Sequence, residues 1–352
     1  MDNASFVFPA VKGIQANKEY FTAMVPLEII PKIFQFADEE LPPEIRAQRV
    51  LNKSRIPEMR DYIINNPESY VFSSLTVSVD GEMLFEPIND VDSMIGHVSI
   101  SMSARFLIND GQHRRAAIAE AIKINRELKN EHISVVFYHD KGLKSSQQMF
   151  SDLNRYAIRP TKSINILFNS REESSVIAKD VIKDVFVFTG LTEKEKTTVS
   201  NRSKALFTLS AISTATVELL KDIKLDTSQK TGLAVEFWNE VALNMPEWLA
   251  VMRHEQKSSD VRSNSICSLS ITLVAIGHGG NKLLHAYPQD WKQRVANLSN
   301  VDWKKDNPIW NNLVFVNGKV AANRSSQRAL STYIEKIMME ETDENNGKSN
   351  QK

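Results

Sequence analysis

The chain has 352 residues, of which 42% are hydrophobic, so it is long enough to bury the core of one large domain or of two ordinary ones. Lysine plus arginine and aspartate plus glutamate both total 43, so the molecule as a whole has no net field that would draw it onto nucleic acid. The single cysteine, Cys267, excludes an intramolecular disulfide and a clustered cysteine metal site.

Apolar patterning predicts where the protein resides. The longest apolar stretch, near residues 266–276, is well short of the roughly 18 residues that a membrane span requires. The first residues lack the basic and long apolar segments of a secretory signal. We therefore expect a soluble, cytoplasmic protein with no contact to a membrane. Cys267 lies within the apolar stretch, which predicts a buried and inert thiol.

The first part of the chain combines a strand with helices. Residues 20–25 have strand character, and an amphipathic helix is predicted over 27–38. A second helix is predicted from Glu44, and a third ends at Asn65.

After residue 70 the apolar residues alternate, which is typical of strands. Strands are predicted at 70–72, 75–79, 83–85, 98–102, 105–108 and 133–138, with a helix over 116–128. This part of the chain therefore forms a sheet.

Beyond about residue 165 the pattern becomes almost wholly helical. Helices are predicted around 174–188, 203–221, 232–254, 262–285 and 289–298. The sequence thus predicts an α+β protein with a mixed-sheet domain over 1–165, a mostly α-helical domain over 166–339, and a disordered polar tail over 340–352.

Positive charge is concentrated in one segment of this neutral chain. Residues 105–171 contain twelve lysines and arginines against six acidic residues. Because the whole chain has no net charge, the other residues carry a net negative charge of the same size. A local excess of this kind is typical of a surface that neutralises phosphates.

A strand, a glycine-containing turn and a helix follow one another over residues 106–117. Such a junction points backbone N–H groups and the positive end of a helix dipole at one place, which is typical of an anion site. The alternative is that Asp110 caps the helix and the basic residues form a solvated first turn. Cations oppose the dipole at this end, which favours a functional interpretation. The predicted phosphate-binding residues are Gly111, Gln112, His113, Arg114 and Arg115.

The five residues from Asp110 to Arg114 spell the complete signature of the DGQHR domain family. The surrounding stretch also resembles the phosphate-binding box of ParB and the Gly-Cys-His-Arg box of sulfiredoxin, so the resemblance implies a ParB/sulfiredoxin-like fold for the first domain. Gln112 stands where sulfiredoxin has its catalytic cysteine, which excludes thiol catalysis at this position.

A second element, Phe150-Ser151-Asp152-Leu153-Asn154-Arg155, is similar to the Phe-x-Asp-Leu-Asn element downstream in DGQHR proteins. The Asn154 amide offers a hydrogen-bond donor and an acceptor, and the nearby cations can neutralise phosphates. The alternative is an ordinary charged helix end. The predicted DNA-binding residues are Arg105, Asn154, Arg155, Arg159 and Lys162.

The helical half resembles the DndB family in particular, through Phe237-Trp238-Asn239-Glu240, Pro246-Glu247-Trp248 and Arg262-Ser263-Asn264. Trp238 and Trp248 are more typical of core anchors than of base-stacking platforms. The likeness extends from about Val7 to Arg328. It implies a bacterial DNA-binding repressor of its own operon and a modulator of DNA phosphorothioation, the replacement of a backbone phosphate oxygen by sulfur. The implied partners are double-stranded DNA and other phosphorothioation proteins, and we expect a homo-oligomer.

Three hypotheses follow. The first is a DNA-binding regulator whose residues 105–171 contact phosphates. The second is a nucleotide-dependent enzyme or switch with ATP or CTP at the Gly111 turn, in which Asp110 holds Mg²⁺ and Asp110 and His113 are catalytic. The third is an assembly protein that docks on the sulfur-transfer machinery through exposed aromatic residues such as Trp303 and Trp310.

Overall fold

The computed structural model describes residues 4–34, 51–91, 93–140, 142–155, 160–311, 313–316, 318–321 and 323–340. The chain divides into two compact units, Met1–Ile158 and Arg159–Lys352. The helix predicted from Glu44, the end of the helix predicted over 27–38, and most of the predicted tail lie outside the described residues. The predicted division into domains at residue 165 remains a prediction.

The N-terminal unit is built on a seven-stranded mixed sheet. Its strands are β1 (Ser5–Gln15), β2 (Lys18–Pro26), β3 (Leu75–Asp80), β4 (Met83–Pro87), β5 (Ile95–Ser101), β6 (Arg105–Asp110) and β7 (His132–His139). Their order is β4-β5-β1-β2-β7-β3-β6, and neighbours are antiparallel except for the parallel pair β3 and β7. β6 therefore lies at one edge of this sheet.

Alternation along the strands explains most of this sheet. The strands predicted from residue 75 onwards are confirmed, and alternate residues such as Val135 and Phe137 of β7 are buried. The prediction of a strand at 70–72 is wrong. The rings of Tyr70 and Phe72 contact each other at a centroid distance of 5.9 Å, and Phe72 also contacts Tyr62, so this segment packs through its side chains instead.

Helices pack against the sheet. The helices of this unit are α1 (Ile30–Ile33), α2 (Ile56–Asn65), α3 (Gln112–Ile124) and α4 (Leu143–Arg155), with 3₁₀ turns at Lys53–Arg55 and Arg126–Asn130. Ala117 and Ala121 of α3 are fully buried, and these small side chains allow the helix to approach the sheet closely. The position of α3 relative to the end of β6 is thus fixed by core packing.

The second unit is mostly helical. Its helices are α5 (Lys162–Phe168), α6 (Glu173–Asp184), α7 (Leu209–Leu219), α8 (Thr227–Leu243), α9 (Pro246–Met252), α10 (Ser258–Asn264), α11 (Ser270–Ala286), α12 (Trp291–Val295) and α13 (Arg324–Met339). Two short strand pairs complete it: β8 (Thr192–Glu193) with β9 (Phe207–Thr208), and β10 (Phe315–Val316) with β11 (Lys319–Val320). There are also 3₁₀ turns at Ala296–Asn300 and Pro308–Trp310. The helix predicted over 232–254 is divided by Pro246, which begins α9.

Large aromatic residues form the core of the helical unit. Trp238 and Trp248 are fully buried, as predicted, and the indole of Trp238 donates to Thr216 Oγ1 at 3.0 Å. Trp303 and Trp310 are also buried and stack at a centroid distance of 5.8 Å, so the prediction that they are exposed is wrong. Each indole donates to a backbone carbonyl of the same segment, which satisfies its N–H without solvent.

The predicted α+β class, with a mixed sheet followed by helices, is confirmed. Cys267 is buried, which also agrees with the sequence, and burial raises the pKa of its thiol to about 12. Among the described residues, no helix is long and apolar enough to cross a membrane.

Candidate functional site

The end of β6 turns into α3 through Gly111. This residue has a φ of +106° and is the N-terminal cap of α3. A Cβ atom built on it would lie 2.4 Å from Leu75 Cδ2 on β3. Two features favour glycine at this position, namely the left-handed backbone and the Leu75 side chain of β3, which occupies the space of a Cβ atom.

The first and last residues of the DGQHR signature form an ion pair across this glycine. Arg114 Nη2 lies 2.6 Å from Asp110 Oδ2, and Arg114 Nη1 donates to the hydroxyl of Ser73. The Arg114 side chain is only 15% exposed, whereas that of Asp110 is 48% exposed. Arg114 is therefore largely buried and is held by two side chains of the protein. Its guanidinium lies against the face of Gly111 where a side chain would stand.

The remaining residues of the turn connect α3 to other segments. Gln112 is buried, and His113 Nε2 accepts a hydrogen bond from the backbone N–H of Asn52 at 3.2 Å. Arg115 is buried as well, donates to the carbonyl of Pro31 at 3.3 Å, and has a lowered pKa because of desolvation. These contacts favour a structural role for Arg115, and its predicted role in binding phosphate remains a prediction.

A buried polar contact joins β6, β3 and α4 just before the signature. Asn109 is 1% exposed, and its Nδ2 donates to Ser78 Oγ at 2.6 Å and approaches Met149 Sδ at 3.0 Å. Within the described part of the chain, its Oδ1 atom has no hydrogen-bond partner. Sequence analysis did not single out Asn109, although an amide among the buried positions of a strand was an available signal.

The direction of α4 follows from its contacts. Near its start, the hydroxyl of Ser146 donates to Asp140, whose backbone N–H donates to the carbonyl of Val79, opposite the beginning of β6. One turn later, Met149 contacts Asn109 at the end of β6. α4 therefore runs in the same direction as β6, and its last six residues extend about 9 Å beyond Met149 at the helical rise.

This direction brings the two family-like elements to the same end of β6. Asn154 and Arg155, at the end of α4, are exposed, and the Asn154 amide donates to the carbonyl of Phe150 at 2.7 Å. Arg114 and Gly111 follow the end of β6 directly. The geometry therefore places the end of α4 at the same end of the sheet as the DGQHR turn.

Other predicted DNA-binding residues lie elsewhere. Arg105 is exposed at the beginning of β6, about 17 Å from Asp110 along the strand. Lys162 belongs to the helical unit, where its ammonium donates to Thr214 Oγ1 at 2.8 Å. Arg159 lies outside the described residues. The basic segment 105–171 is therefore divided between the two units.

The carboxylate of Asp110 was predicted to hold a metal ion. In the structure, Asp110 already carries the guanidinium of Arg114 as its counter-charge. Across the described ranges, no group of three or more histidine, cysteine, aspartate or glutamate side chains is arranged to hold a metal ion. The roles of Asp110 and His113 in catalysis, and of Asp110 as a magnesium ligand, remain predictions.

The fold defines an α+β protein in which a helical unit follows a mixed sheet. At the edge of that sheet, a glycine turn joins a strand to a helix. The model of the DndB family, described as DNA-sulfur modification-associated, matches residues 8–340. The chain therefore belongs to the DndB family, and the family connects it with the DNA sulfur modification system. No curated protein and no solved structure matches the chain. The likeness of its sheet to ParB and sulfiredoxin remains a prediction.

Proposed function

We propose that this chain is a DNA-binding regulator of the DNA sulfur modification system, acting as a transcriptional repressor and as a modulator of modification. Double-stranded DNA contacts the end of β6 through its backbone phosphates. The observation that carries this proposal is the arrangement of the DGQHR turn and the exposed end of α4 at one end of the same strand. Family membership supplies the biological setting.

The charges at this end suit a phosphate. Arg155 is the last residue of α4 and is exposed, so its guanidinium is accessible to a phosphate of bound DNA. Arg114 is held in one orientation by Asp110 and Ser73, so less conformational entropy is lost when it donates to a ligand.

Salt dependence of DNA affinity tests this proposal. Binding of duplex DNA by the full chain, measured by fluorescence anisotropy over a range of salt, should weaken steeply because bound counterions are released. Arg155→Ala should lower the affinity by about 1.5–3 kcal/mol. It should also reduce the slope of log K against log salt by about 0.9 if one phosphate contact is lost.

Lys18→Ala is the matched control, because Lys18 is an exposed cation at the β1–β2 turn, three strands away from β6. This control should change neither the affinity nor the slope. Binding that does not depend on salt, or an equal loss for both variants, would contradict the proposal. A reporter driven by the operon promoter tests repression separately, and Arg155→Ala should release it.

A further inference from the structure

The helical unit contains a cavity of about 530 Å³ that the proposed DNA contact does not use. It lies between residues 189–191, 201–204, the end of α9 and the start of α10. Its volume is within the range of small-molecule sites, roughly 300–1,000 Å³. The cationic side chains in its lining are Arg202, Lys204 and Lys257, and His254 also lines it.

The positive charge of this cavity is not compensated locally. No aspartate or glutamate is among the residues that line it. Within the described part of the chain, Arg202, Lys204 and Lys257 form no ion pair. Glu255 and Asp260 are close in sequence but lie outside the lining. Three like charges around one concave surface repel one another, and an anion in the cavity relieves that repulsion.

The backbone that carries these cations is firmly anchored. Arg262 of α10 donates to four carbonyls of one loop, those of Ser200, Asn201, Ser203 and Ala205. The hydroxyl of Ser258, at the start of α10, donates to the carbonyl of Lys204 at 2.7 Å. The loop bearing Arg202 and Lys204 is therefore held next to Lys257, which reduces the entropy lost when a ligand binds.

Two other features of the lining fit a ligand that has both a charged and a flat apolar part. His254 has a φ of +62° and follows the C-cap of α9, where the backbone N–H of Glu255 donates to the carbonyl of Ala250, so this left-handed residue ends the helix. Its imidazole stands in the lining of the cavity. Leu191, Val251 and Met252 form an apolar wall, against which a planar ring can pack.

We propose that this cavity binds a nucleotide, with its phosphates between Lys204, Lys257 and Arg202 and its base against the apolar wall. The ligand class follows from the combination of uncompensated cations, serine hydroxyls and an apolar surface within a cavity of this volume. The site is separate from the DGQHR turn, since all of its residues belong to the helical unit. It does not depend on the proposed contact with DNA.

Isothermal titration of the full chain with ATP, and then with AMP, in phosphate-free buffer tests this proposal. We expect one binding site per chain for ATP. The double variant Lys204→Ala/Lys257→Ala should weaken ATP binding by at least about thirtyfold, because two charge-assisted contacts are lost. AMP should bind more weakly than ATP, because it offers fewer negative charges to the same cations.

The matched control is Lys224→Ala/Lys282→Ala, which removes the same charge from exposed positions outside the cavity. It should change ATP affinity by no more than about twofold, since its charges lie outside the cavity and do not contact a phosphate bound there. Thermal melting establishes that both double variants are folded. The proposal is overturned if neither nucleotide binds, or if both double variants bind ATP equally well. It is also overturned if Arg114→Ala alone abolishes binding, or if the cavity takes oligothymidylate but no free nucleotide.

Discussion

In the N-terminal unit the family signature lies at the end of the edge strand β6. In the helical unit the tryptophans of the family-like motifs lie in the core. Asp110 at the end of β6 is 48% exposed, and the end of α4 beside it is exposed as well. Trp238 and Trp248 have no exposed surface at all. A motif therefore marks a turn at the end of an edge strand in one unit and core packing in the other, although both were equally visible in the sequence.

The physical reason lies in the residue types. Aspartate and arginine are costly to bury, so a signature made of them is retained at a surface or in mutual contact. Tryptophan gains from burial once its N–H has a partner, which Thr216 provides for Trp238. The distinction between the units is open to test by substitutions that remove packing, backbone freedom, an ion pair and a charge.

The largest effect is expected for the core of the helical unit. Trp238→Ala should lower the free energy of unfolding by about 3–5 kcal/mol, because it leaves a cavity beside Phe188 and Phe237. Urea denaturation followed by circular dichroism measures this. Val217→Ala, at a 48% exposed position of α7, is the control and should stay within about 0.5 kcal/mol. A cost below about 1 kcal/mol for Trp238→Ala would show that these aromatic residues do not anchor the core.

A smaller effect is expected at the glycine turn. Gly111→Ala must adopt a φ of +106° and place its Cβ 2.4 Å from Leu75 Cδ2. Gly142→Ala must adopt a φ of +98°, but nothing described lies within 4 Å of its Cβ. We expect Gly142→Ala to cost about 1–2 kcal/mol and Gly111→Ala to cost about 1–3 kcal/mol more. Equal costs in urea denaturation would mean that the Leu75 side chain moves away from the turn at little cost.

The ion pair between Asp110 and Arg114 should contribute less to the free energy of unfolding than the glycine turn does. Arg114→Ala should lower the free energy of unfolding by about 1–2 kcal/mol, because the largely buried guanidinium holds both Asp110 and Ser73. Lys123→Ala breaks the exposed pair with Glu120 on the same helix and should cost at most about 0.5 kcal/mol. Thermal or urea unfolding of the two variants compares them directly. If Arg114→Ala is as mild as Lys123→Ala, the signature does not stabilise the turn.

The smallest effect concerns a carboxyl group in the helical unit. Burial, assisted by the negative charge of Asp302, raises the pKa of Glu247 above its ordinary value. The folded state therefore holds this proton more tightly than the unfolded state, so stability falls as pH rises from the ordinary pKa through the raised one. Glu247→Gln should flatten the stability profile in this window and add less than about 1 kcal/mol at neutral pH. Urea unfolding at a series of pH values measures the slope, and an unchanged slope would refute the effect.

Alternation of apolar residues located most strands of the sheet, because burial of one face imposes a period of two along a strand. The DGQHR signature located the junction of β6 with α3 and indicated the family that the match over residues 8–340 shows. Helical periodicity located most of the second unit, but it did not separate α8 from α9 or identify α13. Local sequence therefore determined most of the elements and indicated the family.

Only the tertiary structure decided which side chains are accessible. Arg114 is held by Ser73, 41 positions away, and His113 contacts Asn52, 61 positions away. The end of α4 lies near the DGQHR turn because Met149 packs against Asn109. Trp310 also packs against the ring of Tyr333 in α13, 23 positions away. Periodicity records only the environment that each residue shares with its neighbours in sequence, whereas accessibility depends on contacts between segments distant in the chain, which form only when the whole unit folds.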